Sequence, residues 1–482
     1  MSVKKNYLYN LVYQIMTMAL PLVTVPYISR VLLAKGVGIF AYTSSIAQYF
    51  ALFGMLGIGI YGNKVIAMTR DDKKVMSENF LSIYFLQLIV SLVSVFSYLM
   101  LVFLMIRTDQ EIALIQTVTL LGTVIDCTWF FSGLEMFKKI VTRNILIKCL
   151  SLVAIFSFVK GPGDLYLYTY IMCLSTFFGQ LIMWFYIRNQ IVRVKITFRA
   201  VKKHVKPVFI YFLPQIAMQV YFVLDKTMIG VLSSKSEVGI YDYADKIQKM
   251  AIAIVTSLGT VMLPKMAHTF IMGQTDKAQK YILKSLDFST LLAVPIMFGL
   301  AGIAQEFIPW YMGNGFLKCT VVLIMISPTI FLMAWSGVFG SQYLLPLGKM
   351  KEYTVSLYIG AIVNFLLNLV LIKSYGSIGA SIGTLVAELS VTLVQMFFVR
   401  NDIRWKQMLP KTLLYLCAGV VMYTFVRFIG HSMGVSIVTT FVQIIAGIFS
   451  YTAIILTVEY AGHGGIILEE IRKRRPSYRG NS

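Results

Sequence analysis

Acidic residues are scarce in this chain: 21 Asp and Glu stand against 43 Lys and Arg in 482 residues. All charged residues together make up only 13%, and the hydrophobic set reaches 58%. A soluble domain carries about 25% charged and about 45–50% apolar residues, so an ordinary soluble enzyme is excluded. Five cysteines (Cys127, Cys149, Cys173, Cys319 and Cys417) show no CxxC or metal-ligand spacing. They read as small core residues. No GxxxxGK[ST] occurs, so the chain has no phosphate-cradling ATPase loop of that kind. HExxH, DxD and a potassium-type filter are missing as well. The longest gap on the outer side, about 306–318, leaves little room for the acceptor chemistry of a membrane polymerase, ligase or glycosyltransferase.

What fills the chain instead is hydrophobic runs. A span needs about 20 mostly apolar residues to cross about 30 Å of hydrocarbon. Fourteen stretches qualify: roughly 8–33, 39–62, 80–106, 112–134, 141–159, 165–187, 207–231, 239–263, 286–305, 319–346, 354–372, 377–399, 412–430 and 435–460. Helices are expected, because backbone polar groups in lipid must be satisfied within the segment. The first run exceeds a signal h-region and carries Pro21 and Pro26, so a cleaved signal peptide is not expected.

The basic residues alternate with these runs. With the N-terminus inside, 31 of the 43 fall in cytoplasmic segments, seven of them in 188–206 alone. Eight (Arg30, Lys35, Arg107, Lys160, Lys235, Lys318, Lys373 and Arg427) fall in outer loops or outer helix ends. That is the positive-inside pattern, and it places both termini in the cytoplasm. The formal charge of +22 therefore follows from topology and attraction to anionic lipid, and requires no nucleic acid.

A repeat is visible. Val37-Gly38-Ile39-Phe40-Ala41-Tyr42 reappears as Val238-Gly239-Ile240-Tyr241-Asp242-Tyr243, and Leu20-Pro21 as Leu213-Pro214. Spans 1–6 and 7–12 thus read as a parallel repeat. Transporters built this way hold substrate at the repeat interface and rock about it. The expected organisation is an N-lobe at 1–187, a basic linker at 188–206, a C-lobe at 207–400, and spans 13 and 14 with a basic tail at 401–482. No cofactor is called for; energy comes from H+, Na+, the membrane potential or the substrate gradient.

Charges inside spans are the candidate site, because each costs at least about 2.5–3.5 kcal/mol at the bilayer centre and needs a partner, a cavity or a substrate. Asp242, Asp245, Lys246 and Lys249 form one helical stripe, spaced i, i+3, i+4 and i+7. Two readings stand for it: lysines lining a cavity for an anion, or i,i+4 pairs (Asp242–Lys246 and Asp245–Lys249) that neutralise themselves. Asp225-Lys226 ends span 7, and Arg30 lies near the outer end of span 1; either cation could instead snorkel to the headgroups. Asp126 in span 4 and Lys148 in span 5 lie at similar depth and are expected to pair. Glu388 in span 12 faces Asn364 and Asn368 of span 11, as an interhelical hydrogen-bonding site or a cation-coupling carboxylate. Gly379 and Gly383 read as close helix packing.

Several stretches carry a resemblance. Lys5-Asn6-Tyr7-Leu8-Tyr9-Asn10, Pro26-Tyr27-Ile28-Ser29-Arg30, Gly59-Ile60-Tyr61-Gly62-Asn63, Trp129-Phe130-Phe131 with Gly133-Leu134-Glu135, and Leu224 through Gly230 resemble the polysaccharide transporter (Wzx-type flippase) family. The resemblance implies the fold of the multidrug/oligosaccharidyl-lipid/polysaccharide exporter superfamily: an all-α membrane protein with two six-helix lobes around a central cavity plus two further helices. It implies transfer of an undecaprenyl-pyrophosphate-linked oligosaccharide across the bacterial cytoplasmic membrane, for capsular or other polysaccharide. Membrane lipids, a polymerase and other glycan-assembly proteins are the implied partners. On that view Arg30, Lys226, Lys246 and Lys249 bind the pyrophosphate, and Asp225, Asp242, Asp245 or Glu388 exchange a cation. Tyr211 and Tyr221 could stack on sugars or simply pack. The competing readings are an ion-coupled drug exporter, disfavoured by the cationic bias, and a flippase for a peptidoglycan or teichoic-acid precursor. A transferase or a passive scaffold fits less well.

Overall fold

The computed structural model describes residues 3–272, 275–403 and 405–461. These residues form helices and no strand: α1 (Val3–Met55), α2 (Ile58–Thr69), α3 (Lys73–Met105), α4 (Gln110–Val124), α5 (Thr128–Gly133), α6 (Phe137–Phe158), α7 (Leu165–Ile187), α8 (Phe198–Leu232), α9 (Lys235–Ile271), α10 (Thr275–Met312), α11 (Leu317–Ile326), α12 (Thr329–Ser336), α13 (Met350–Tyr375), α14 (Ser377–Val399), α15 (Trp405–Met433) and α16 (Ile437–Ala461). Among the described residues, ten helical stretches are long and apolar enough to cross a membrane, or eleven when Asn314–Ile326 and Thr329–Leu344, bent by 42°, count as one. The protein is a multi-pass membrane protein.

Three of the expected runs are not straight helices. α1 is broken at Leu33, whose φ of 57° and ψ of 176° are not helical, which parts the expected runs 8–33 and 39–62; the run 39–62 is itself interrupted at Leu56–Gly57, between α1 and α2. The run at 319–346 is divided at Ser327–Pro328 between α11 and α12, and continues as a π-helical stretch, Gly337–Leu344. Pro328 has no N–H to continue a helical ladder. The run at 112–134 is interrupted at Ile125–Cys127.

That last interruption is half-buried at Ile125 and Asp126 and buried at Cys127, so its freed backbone groups need partners. Gln87 of α3 supplies two: its Nε2 donates to the Thr123 carbonyl at 2.9 Å and to the Asp126 carbonyl at 2.8 Å. Trp184 of α7 donates its indole N–H to the Ile125 carbonyl at 2.7 Å. The Asp126 carboxylate accepts from the Thr128 N–H at 2.8 Å and so caps α5. Trp129 donates back to Gln87 Oε1 at 2.9 Å. Its ring then joins Phe80, Phe130 and Phe131 in the core of α2, α3 and α5.

The chain divides into two compact units, Met1–Asp242 and Tyr243–Ser482, so the boundary falls inside α9. In the first, α3 and α4 close a second core on α1 around Tyr98, Ile46 and Val124. In the second, α10 is central: it packs on α15, α16, α11 and α12, while α13 and α14 form a tightly matched pair.

Candidate functional site

The charges of α8 and the start of α9 assemble into one buried cluster. The turn Ser233–Ser234 reverses the chain and sets the end of α8 beside the beginning of α9. Asp242 Oδ1 takes the Lys226 ammonium at 2.7 Å, with side chains 4% and 15% exposed. The Tyr241 hydroxyl donates to Asp225 Oδ2, and Asp225 is buried. Tyr241 and Asp242 are neighbours on α9, as Asp225 and Lys226 are on α8, so two adjacent rungs tie the hairpin. Sequence reasoning named three of these four; Tyr241 stood inside the repeated motif and was read only as part of it.

Further along α9, in the second unit, Lys249 donates to Asp245 Oδ2 at 2.8 Å. This is the i,i+4 pair that the spacing allowed. The Lys246 ammonium lies 5.1 Å from the centroid of the Tyr243 ring, a cation–π distance. Arg30 is exposed on α1, with Nη1 donating to the Pro26 carbonyl one turn back at 3.0 Å.

Glu388 is buried on α14. The α13–α14 register places Gly360 against Val391 and Asn368 against Gly383, so Asn364 falls level with residues 387–388. Asn364 and Asn368 are fully buried and joined, Asn368 Nδ2 donating to Asn364 Oδ1 at 3.0 Å. Asp126 sits in the break before α5, as described, within electrostatic reach of Arg143. Arg143 is itself buried, donating to Gln180 Oε1 at 2.9 Å and to the Gly179 carbonyl at 3.2 Å. Lys148 is half-buried on α6.

The second unit holds two ionic groups that sequence reasoning did not single out. Asp287 of α10 accepts from Lys411 at 2.8 Å and from the Tyr415 hydroxyl at 2.7 Å, both on α15. Glu306 of α10 takes Arg427 of α15 at 2.7 Å and Gln443 of α16 at 3.0 Å. Asp287 lies at the edge of the apolar run 286–305 and Glu306 one residue beyond it, so neither stood out as a charge inside a span. Nineteen positions apart, they stand about 28 Å apart along α10, close to the hydrocarbon thickness. Between them lies a cavity of about 630 Å3, walled by apolar side chains such as Leu291, Pro295, Met422 and Ile448, with Gln443, Tyr451 and Thr452 as polar lining.

At the start of α8, outside the apolar run, the Tyr61 hydroxyl and His204 Nδ1 are 2.7 Å apart. Burial, with Lys203 beside it, lowers His204 from its ordinary 6.5 to about 4. Lys64 reaches the Tyr211 hydroxyl at 3.1 Å from α2. Among the described residues, no group of three or more His, Cys, Asp or Glu is placed to hold a metal ion.

Comparison with known proteins agrees with this architecture. The chain is 24% identical over 406 residues to the protein named "Putative O-antigen transporter" of Escherichia coli (strain K12), covering 83% of this chain and 98% of that one. It is 22% identical over 197 residues to "Lipid II flippase MurJ" of Bacillus subtilis (strain 168), covering 40% of this chain and 36% of that one. Among solved structures, "Lipid II flippase MurJ, inward closed conformation" superposes with a TM-score of 0.78 at 15% identity, over 95% of this chain and 100% of that one. An inward-facing multidrug resistance MATE family transporter of the MOP superfamily gives 0.58 at 13% identity, over 80% of this chain and 97% of that one. These likenesses show the fold. The family described as "Polysaccharide biosynthesis protein" matches residues 3–270, more than half of the chain, and the protein belongs to that family.

Proposed function

We propose that this protein is a secondary transporter, not an enzyme, that moves an undecaprenyl-pyrophosphate-linked oligosaccharide from the inner to the outer leaflet of a bacterial cytoplasmic membrane. The observation that carries this reading is the family match, together with near full-length similarity to a protein named as an O-antigen transporter. Fourteen crossings follow when the kinked Leu20–Thr69 stretch counts as two, the broken pair as one, and α8 and α9 as one each. An even number puts both termini on one side, and the positive-inside pattern makes that side the cytoplasm in this reading, with lobes at 1–187 and 207–400 joined by the basic linker.

The chemistry suits an anionic headgroup. A sugar pyrophosphate loses its water partners in hydrocarbon and needs replacements. Lys226, Lys246, Lys249 and Arg30 are our candidate pyrophosphate ligands; lysine serves as a compact point charge for phosphate. Asp225, Asp242, Asp245 and Glu388 are the candidates for cation exchange, Glu388 beside the buried Asn364–Asn368 pair being the one held within a polar helix seam. Alternating access would expose these groups to one side at a time.

The test is transport in proteoliposomes. Headgroup access to an external glycan-modifying enzyme is followed for the wild type and for Lys226→Ala, Lys246→Ala and Lys249→Ala. Wild-type exposure well above empty liposomes, lost in a folded lysine variant, supports the reading. Exposure no faster than in empty liposomes, under several ion gradients, rejects it.

A further inference from the structure

The repeated motif meets itself in the fold. Gly38 of α1 and Gly239 of α9 are the matched glycines of the two copies, 201 positions apart. A Cβ on Gly38 would stand 2.9 Å from the Gly239 nitrogen and would collide with the Lys235 carbonyl. A Cβ on Gly239 would stand 2.9 Å from the Gly38 nitrogen and would collide with the Ala34 carbonyl. Ala34 and Lys235 are again 201 positions apart. The contact is therefore reciprocal, residue i meeting j′ while i′ meets j, which is what a twofold relation between two copies of a unit requires.

The surroundings close the same end of the helices. Gly230 of α8 lies against the Tyr42 ring, and that ring also receives the Lys235 ammonium, 2.9 Å from its centroid. Ser45 and Thr227 share a hydrogen bond of 2.9 Å. One turn along α9 from Gly239, Asp242 holds Lys226. The two kinds of contact differ in strength. A glycine-on-glycine approach contributes only weak dispersion and Cα–H···O contacts, so it holds little by itself, and the Tyr42–Lys235 and Ser45–Thr227 contacts beside it part with it. A buried ion pair is strongly destabilised when one partner is removed. It fixes the first turns of α9 against α8, and so fixes where Gly239 sits.

We propose that the Gly38–Gly239 contact is an outer seal, and that Asp242 is a positioning residue that holds the seal shut through Lys226 until an anionic diphosphate headgroup takes the lysine. This rests on the flippase reading and its orientation. The sealed state binds the headgroup less well, because Lys226 must first leave Asp242. The headgroup therefore shifts the population toward the open state by its difference in affinity for the two. Opening admits water to the released carboxylate, which supplies its hydrogen bonds.

The test uses the full chain in lipid nanodiscs, with Cys149 and Cys417 replaced by serine and spin labels at Lys35→Cys and Ser234→Cys, both exposed positions beside the seal. The probe is undecaprenyl pyrophosphate carrying a short oligosaccharide. Wild type should show a short distance that lengthens on adding the probe. Asp242→Asn should raise the long-distance population about tenfold without probe, and Asp242→Glu should restore dependence on the probe. Gly38→Ala should also stay open, by steric exclusion rather than lost charge. If Asp242→Asn and Gly38→Ala both keep the closed distance, the seal is wrong. If they open while wild type ignores the probe and transports nothing, the substrate reading fails and the headgroup trigger with it.

Discussion

Asp242 and Lys226 illustrate how little a single intramembrane charge says about itself. Each marked a place where the bilayer penalises ionisation, but not which cation met which anion. Lys226→Met should take the ammonium away from a buried carboxylate and lower stability by about 3–5 kcal/mol. The double change Lys226→Met with Asp242→Leu should recover most of that loss, and denaturant unfolding in detergent measures both. His204 gives a pH prediction. Its folded-state value of about 4 lies below the ordinary 6.5, so a proton binds the unfolded chain more readily than the fold. Stability should therefore fall as pH drops from about 6.5 toward 4, and His204→Gln should remove that component. An unchanged pH–stability profile in the variant would sink this account.

At the scale of helices, the break between α4 and α5 depends on Gln87, whose amide bridges two carbonyls and the Trp129 indole. Gln87→Leu keeps the volume but leaves the Trp129 N–H unpaired, a loss of about 1–3 kcal/mol for that group alone. The expected result is a lower melting temperature with altered tryptophan fluorescence. Equal stability would mean that another group takes over the bridge. This break was not legible in the sequence, because 112–134 reads as one apolar run and its interruption is stabilised by side chains of α3 and α7. The close approach of α13 and α14 was legible, through Gly379 and Gly383: a Cβ on Gly379 would collide with the Leu371 carbonyl, and one on Gly383 with Asn368.

For the molecule as a whole, sidedness is the property to test. In right-side-out spheroplasts, an impermeant maleimide should label Arg107→Cys and spare Lys202→Cys until the membrane is permeabilised. Both residues are exposed, so access is decided by the membrane. The reverse labelling would overturn the proposed orientation. α10 bears on the same scale, since Asp287 and Glu306 pin the C-terminal hairpin α15–α16 to it at two levels.

By itself the sequence determined the class of the protein, its helical nature and the residues whose charge needs explaining. The reason is that the bilayer acts locally: transfer free energies add over a window of about 20 residues, and positive charge sorts loop by loop. Only the tertiary structure decided which charges neutralise one another. Asp287 finds Lys411 124 positions away, and Glu306 finds Arg427 121 away, distances over which no local pattern reports. It also decided where helices break and that the two copies of the glycine motif touch, because these follow from how closely backbones approach after packing.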